Sequence, residues 1–416
     1  MSFQQGLSGL AAANAALNVI GNNVANVSTV GFKSGDAHFA DLFASSLGML
    51  GSSQIGIGVN VAAIQQQFTQ GNLTTTNNPL DLAINGNGFF RMSNSGSGAI
   101  SYSRNGQFEL DKDGFIINDQ NLRMTGYTTA SPSVPVDLNL SASILMPPKE
   151  TIGISAGLNL DAGATPIPAA PPFSSTDPTT YNFSTGMTVY DSLGVNHNLT
   201  TFYALDPTTP LTWHVFSTLD GLPVAGVAVG DLVFDPASAT AGTLDAATLA
   251  AMPFPAPAFT LASGATVLTA GTIDFTGTTQ YDGSGESTVN TLAQDGYAPG
   301  SLAGLGVDSD GVVQGRYSNN QSRNLGQVVL ATFANPNGLQ NLGNNQWTST
   351  SVSGLEVLNK PGSGASGLLQ SAATEDSNVD LTTELVDMIT AQRNYQANAQ
   401  TIKTQDAVMQ TLLNLR

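Results

Sequence analysis

Both ends of this chain carry the same constraint. At the front, Phe3, Leu7, Leu10, Asn14, Leu17, Gly21 and Val24 recur at spacings that alternate between four and three. At the back, Leu381, Leu385, Met388, Gln392, Tyr395, Ala399, Ile402, Asp406, Met409 and Leu413 keep that alternation. This is the seam of a heptad repeat, one apolar stripe along a helix. A stripe so narrow encloses no core by itself, so each helix needs a partner, and the natural partner is the other end of the chain. Ser377 or Asn378 is expected to cap the C-terminal helix, with Glu384 and Asp387 near its positive end. Gly and Asn in "GNNVANVSTVGF" close the first helix, because both tolerate the left-handed conformation. A helical hairpin packed on the protein's own β domain would show the same stripes. The faces opposite them favour assembly between molecules: they are rich in Asn, Gln, Thr and Ala, where a solvated helix carries Lys and Glu.

Everything between the ends reads as short strands. "PLDLAINGNGFFRM", "ISYSRNGQFELDKDGFIIND" and "NLRMTGYTT" are joined by Asn-Gly and Asp-Gly turns. The stretch "LGVDSDGVVQGRYSNNQSRNLGQVVLATFANPNGLQNLGNNQWTSTSVSG" follows the same pattern. No Lys or Arg lies between Lys149 and Arg316, and fifteen acids do, from Glu150 to Asp310. That interval holds most of the net charge of −18, together with the Pro-rich "ATPIPAAPPF". Residues 147–282 are therefore expected to be an inserted domain. It would be β-rich, since "GMTVYDSLGVNHNLTTFYAL" and "TWHVFSTLDGLPV" alternate apolar and polar residues across turns.

The expected fold class is α+β multidomain, a terminal coiled-coil pair plus two nested, mainly β domains. Residues 1–26 with 379–416 would form the helical polymerisation core, and 27–75 with 355–378 a connector. An inner β domain would take 76–146 with 283–354, and the insert 147–282. A chain of 416 residues has room for roughly two to four domains.

The charge argues against nucleic acid and anionic membranes, which need Lys/Arg patches. The absence of cysteine removes disulfides, thiolate metal sites and Cys nucleophiles. Residues 1–32 hold no Asp, Glu, Lys or Arg, yet Asn14, Asn18, Asn22, Asn23 and Asn26 interrupt them, so no membrane insertion is expected. The start has no basic n-region and is not a Sec signal peptide. His38, His197 and His214 lie in no ligand spacing. "DKDGF" and "DSDGV" lack the later acids of a calcium loop and are expected to be turns. "INGNGFF" has no Lys-Ser/Thr after its glycines, and no G-x-S-x-G is found. No catalytic, cofactor or metal residue is expected, and the protein is not expected to be an enzyme.

"SGLAAANAALNVIGNNVANVSTVGFKSGDAHFADLF" resembles the N-terminal motif shared by the axial proteins of the bacterial flagellum. "NVDLTTELVDMITAQRNYQANAQTIKTQDAVMQTLLNLR" resembles their C-terminal motif. "NPLDLAINGNGFF", "YSRNGQFELDKDGFI" and "DGYAPGSLAGLGVDSDGVVQGRYSNNQSRNLGQVVLATFANPNGL" look like the next layer in rod and hook proteins. Over the insert only "TVYDSLGVNHNLTTFY" carries the likeness. The distal rod protein lacks a large second outer domain, so the insert makes the chain look like the hook branch, with the rod or another axial role as the alternative. The resemblance implies a homo-oligomer, a helical polymer whose terminal helices build an inner tube around an export channel. It also implies contacts with the distal rod protein, hook cap, hook–filament junction proteins and export apparatus, and a place at the cell surface in the hook. The helix seam expected to polymerise is Leu7, Leu10, Leu17, Val24, Leu381, Leu385, Met388, Tyr395, Ile402, Met409 and Leu413. Phe32, Phe39, Leu42 and Phe43 are expected to dock connectors on neighbouring subunits. A secreted β-rich adhesin or a carbohydrate-active protein would instead need an anchor, or converging carboxylates and exposed aromatics. Of the two tryptophans, Trp213 lies in a cleanly alternating strand and is expected in a core.

Overall fold

In a computed structural model, residues 2–43, 56–128, 131–141, 144–237, 240–261 and 263–414 are described. The chain divides into two compact units. The first takes Met1–Ser143, Ala303–Arg316 and Ser322–Arg416; the second takes Ile144–Leu302 and Tyr317–Gln321. Residues 283–302, expected with the inner domain, thus fall in the second unit. The reason is strand pairing: Thr288–Gln294 runs antiparallel to Gly153–Asp161.

The first unit begins and ends in helices, Ser2–Ala25 and Leu381–Asn414. A long antiparallel hairpin of Gly35–Phe43 and Gly56–Gln66 follows the first helix. The β-rich body is built on Phe89–Ser93, which pairs with Ile100–Ser103, Arg123–Tyr127 and Leu330–Thr332. Alternation along these strands buries Phe90 and Met92 with Phe108, Ile116, Met124 and Leu330. A smaller cluster of Phe89, Tyr102, Ala331 and Trp347 holds Phe68 and Phe333 against it. Edge-to-face rings join Phe68 to Phe89 and to Trp347 at 5.4 and 5.5 Å. "DKDGF" and "DSDGV" are turns. Asp111 Oδ1 accepts from the amides of Asp113 and Phe115, and Asp308 Oδ1 from those of Asp310 and Val312.

The second unit has a sheet of four antiparallel strands in chain order: Phe183–Tyr190, Asn196–Leu205, Thr212–Leu219 and Leu222–Val233. Its last turn is Asp220-Gly221, both residues with positive φ, as a two-residue hairpin with right-handed strand twist requires. Gly153–Asp161 centres another sheet, parallel to Thr272–Asp274 and Thr279–Tyr281. Both sheets contribute to one core, in which Leu158, Leu160, Tyr203, Trp213, Ile273 and Phe275 are buried.

Candidate functional site: the helix pair and its joint

The two terminal helices run antiparallel, as three contacts show. Gly6 lies against Ile402 and Gly9 against the side chain of Asn398. At the other end Asn23 Nδ2 donates to Glu384 Oε1 at 2.9 Å. Between these points Ala16, Ile20 and Asn23 share a cleft with Ala391 and Asn394. The contact therefore follows a line one residue away from the expected seam. Gly6 and Gly9 stand where Leu7 and Leu10 were expected, Asn23 for Val24, Glu384 for Leu385 and Asn398 for Ala399; Ile402 is shared. Size is the physical reason. A Cβ on Gly6 would sit 2.9 Å from Ile402 Cγ1, and one on Gly9 2.7 Å from Asn398 Oδ1. Small residues let the backbones approach, and the amides meet partners there.

The large apolar side chains of the expected seam are left partly or wholly open. Leu7 is 56% exposed, Leu385 45% and Met409 54%; Phe3, Leu381 and Tyr395 are exposed too. Leu10, Leu17, Val24, Met388 and Ile402 are half-buried. The side chains of Leu413 and Phe43 lie outside the described residues. Of the connector residues, Phe39 and Leu42 are exposed on the hairpin, while Phe32 is half-buried and lines a cavity of about 560 Å³ with Val19, Ile64 and Phe68.

The C-terminal helix is capped by Asp380, not by Ser377 or Asn378. Asp380 Oδ1 accepts from the amide of Thr382 at 2.8 Å, and these bonds hold its carboxyl below the usual range. Asn378 has a different task. Its Oδ1 accepts from Ser34 N at 2.8 Å, while its Nδ2 donates to Gln67 O at 2.7 Å and to Thr69 Oγ1 at 2.9 Å. Asn23, buried, binds Gly35 through both the carbonyl and the amide at 2.9 Å. The hairpin is stitched to the first helix through Gln5 Nε2 to Gly56 O at 2.6 Å, and to the body through Trp347 Nε1 to Gln66 Oε1 at 2.5 Å.

Beneath these bonds lies a buried ion cluster. Glu375 Oε1 accepts from Lys33 Nζ at 2.7 Å and from the amide of Gly71 at 3.0 Å. Glu375 Oε2 accepts from Arg104 Nη1 at 3.1 Å. The Lys33 and Glu375 side chains are wholly inaccessible, and that of Arg104 nearly so. Lys33 also donates to Thr69 O at 2.6 Å, and Arg104 to Gly86 O at 2.8 Å. Burial pulls the Lys33 ammonium below its ordinary pKa, and the Glu375 charge opposes that pull. Gly31, at φ 70°, lets the chain turn against Arg104–Asn105; a Cβ there would lie 2.5 Å from Asn105 N. Its own amide donates to Glu375 O at 2.7 Å.

The Lys33–Arg104–Glu375 cluster was not found by sequence reasoning. Its one signal is scarcity: Lys33 is the first charge in the chain and one of only twelve Lys and Arg.

In the second unit His197 Nδ1 and Asp220 Oδ2 are 2.7 Å apart, as are His214 Nδ1 and Asp231 Oδ1. Among the described residues no three or more His, Asp or Glu are placed to hold a metal ion, and no helix is long and apolar enough to cross a membrane.

Four family descriptions match the chain in order. "Flagella basal body rod protein" covers residues 3–33, and "Flagellar hook protein FlgE/F/G D1 domain" covers 83–157. "Flagellar basal body protein FlaE D2 domain" covers 159–297, and "Flagellar basal body rod FlgEFG protein C-terminal" covers 370–415. The flagellar hook protein FlgE of Salmonella typhimurium is 43% identical over 432 residues, with 100% of each chain covered. The chain belongs to the flagellar hook protein family. The FlgE of Escherichia coli K12 is 41% identical over 426 residues and that of Treponema pallidum 31% over 463, with 100% of this chain covered by each and 100% and 99% of theirs. A crystal structure of Helicobacter pylori FlgE2 aligns with a TM-score of 0.48 at 13% identity, over 71% of this chain and 99% of that one. Membership makes this chain a structural subunit of the hook and places it in the flagellum. The full-length match to hook proteins decides between the hook and rod readings.

Proposed function

We propose that this hook subunit polymerises through its terminal helices, whose exposed leucines and methionines close against other copies of the same pair. The supporting observation is the division of residues on each helix. Small and amide residues make the intramolecular contact, and Leu7, Leu381, Leu385 and Met409 are left for neighbours. In this reading the pairs form coiled-coil layers of an inner tube around the export channel, with Leu10, Leu17, Val24, Met388, Tyr395, Ile402 and Leu413 completing the layers. Phe39, Leu42 and Phe43 dock the hairpin on adjacent subunits, and Phe32 supports it from within. The second unit is the outer domain, nested in sequence within the first.

The polymer acts as a universal joint, curved yet turning about its own axis. Each protofilament shortens on the inside of the bend and lengthens on the outside once per turn. Weakly charged polar contacts between β surfaces permit sliding of that kind, where broad apolar contacts would hold one state. The rod, hook cap, junction proteins and export apparatus are its partners, and the chain leaves the cell by the flagellar export route.

The test is electron microscopy of a motile bacterium with this gene deleted, complemented by the full chain or by one lacking 381–416. Hooks restored only by the full chain support the reading. Normal hooks from the truncated chain overturn the role of the C-terminal helix.

A further inference from the structure

Every covalent path between the terminal helices and the β-rich body of the first unit passes the buried cluster of Lys33, Arg104 and Glu375. Lys33 follows the turn that ends the first helix, and Glu375 precedes the cap of the last. Arg104 belongs to the body, just after Ile100–Ser103. The cluster is a poor source of stability. One carboxylate serves two cations, and Arg104 Nε is buried with no hydrogen-bond partner among the described residues. Buried ion pairs of this kind are commonly replaced by apolar residues at no loss of stability, because desolvation offsets their attraction.

What charge-assisted bonds supply and apolar packing does not is direction. Both oxygens of Glu375 are engaged, Oε1 by Lys33 and Gly71 and Oε2 by Arg104, groups anchored in different segments. A methyl surface can slide by an ångström at little cost; this carboxylate cannot.

We propose that Glu375 is the positioning residue of the polymerising helix pair: by engaging Lys33 and Arg104 together, it fixes the angle at which both helices leave the body of the first unit. The consequence for the hook, which rests on the polymerisation reading above, is that bending does not occur at this joint. The described residues 27–43, 56–75 and 355–378 then act as a rigid bracket despite their Gly, Ser, Asn and Thr content.

The experiment replaces the cluster by apolar side chains of similar volume, Lys33→Met with Arg104→Leu and Glu375→Leu, in the full chain. Thermal unfolding of the purified protein is expected within about 4 °C of the parent. Hooks assembled in a deletion strain are expected to show altered curvature and helical pitch by electron microscopy, with swimming speed reduced. Hooks of parental shape from this variant overturn the proposal and make the cluster replaceable packing. If the triple variant does not fold, Lys33→Met alone decides the matter, because it keeps the Arg104–Glu375 pair one-to-one. Altered curvature in a folded Lys33→Met protein supports the proposal, and parental curvature overturns it. Complementation by the unmutated chain is run beside both. Its failure would tell against the polymerisation reading rather than against the joint.

Discussion

In the second unit Trp213, Tyr203, Leu158 and Phe275 are closed off by two sheets that share one core. At the helical end of the first unit, Leu7, Leu385 and Met409 stand open while Gly6, Gly9, Asn23 and Asn398 make the contact. One region spends its apolar residues on itself; the other withholds them. A β sandwich that buries its large side chains is complete as a monomer. A helix pair held by glycine contacts and amide bonds is marginal alone, since most helical stability in proteins comes from packing an apolar face. The difference separates a part that buries its apolar residues internally from a part that leaves them at the surface.

The sharpest way to break that comparison is to charge the withheld face. Leu385→Asp is expected to abolish hook assembly, scored as hooks per cell, while both β-rich bodies keep the parental near-ultraviolet circular dichroism. Loss of the β signal as well would mean that the two regions are not separable. The complementary change is Trp213→Ala, expected to remove about 3–5 kcal/mol from the second unit through the cavity it leaves. Calorimetry of the full chain should show one transition lowered and the rest unmoved.

A smaller effect is expected from Gly6→Val, which pushes on Ile402 and separates the helices at a cost of about 1–3 kcal/mol. Its readout is a raised critical concentration for polymerisation, with the unfolding of the β bodies unchanged. Equal polymerisation by this variant would show that the close approach is dispensable.

The smallest effect concerns pH. Burial raises the Glu384 carboxyl above its ordinary value, although the hydrogen bond from Asn23 opposes the shift. A raised folded pKa means that its contribution is present below the unfolded value, about 4.3, and is lost as pH rises through the folded one. The Glu384 contribution to the helix joint should therefore be slightly smaller at neutral pH than near pH 4, opposite in sign to that of the Asp380 cap, and Glu384→Gln should remove it. Salt-free depolymerisation temperatures measured across that range check it.

Much of this was open to reading in the chain. Alternation in "TWHVFSTLDGLPV" located a buried strand and its Asp-Gly turn, because a period of two leaves little choice about which side chains face a core. The heptad spacing located both helices. It did not identify which line of each helix meets the other. The apolar stripe is the conspicuous one, and the contact uses the neighbouring line of Gly, Asn and Glu. Asp380, not Ser377 or Asn378, proved to be the cap, since Asn378 is occupied by Ser34, Gln67 and Thr69. That the second unit runs on through Leu302 was also hidden, because strand pairing across sequence draws Thr288–Gln294 to Gly153–Asp161.

The sequence by itself determined the element types, the helical ends, the lack of charge in residues 1–32 and the membership in a family of axial proteins. These depend on local periodicity and on motifs that are contiguous in the chain. Only the tertiary structure decided that Lys33, Arg104 and Glu375 share one buried point, 342 residues apart at the extremes. No local pattern marks such a meeting, because a buried charge is defined by what surrounds it and not by what precedes it.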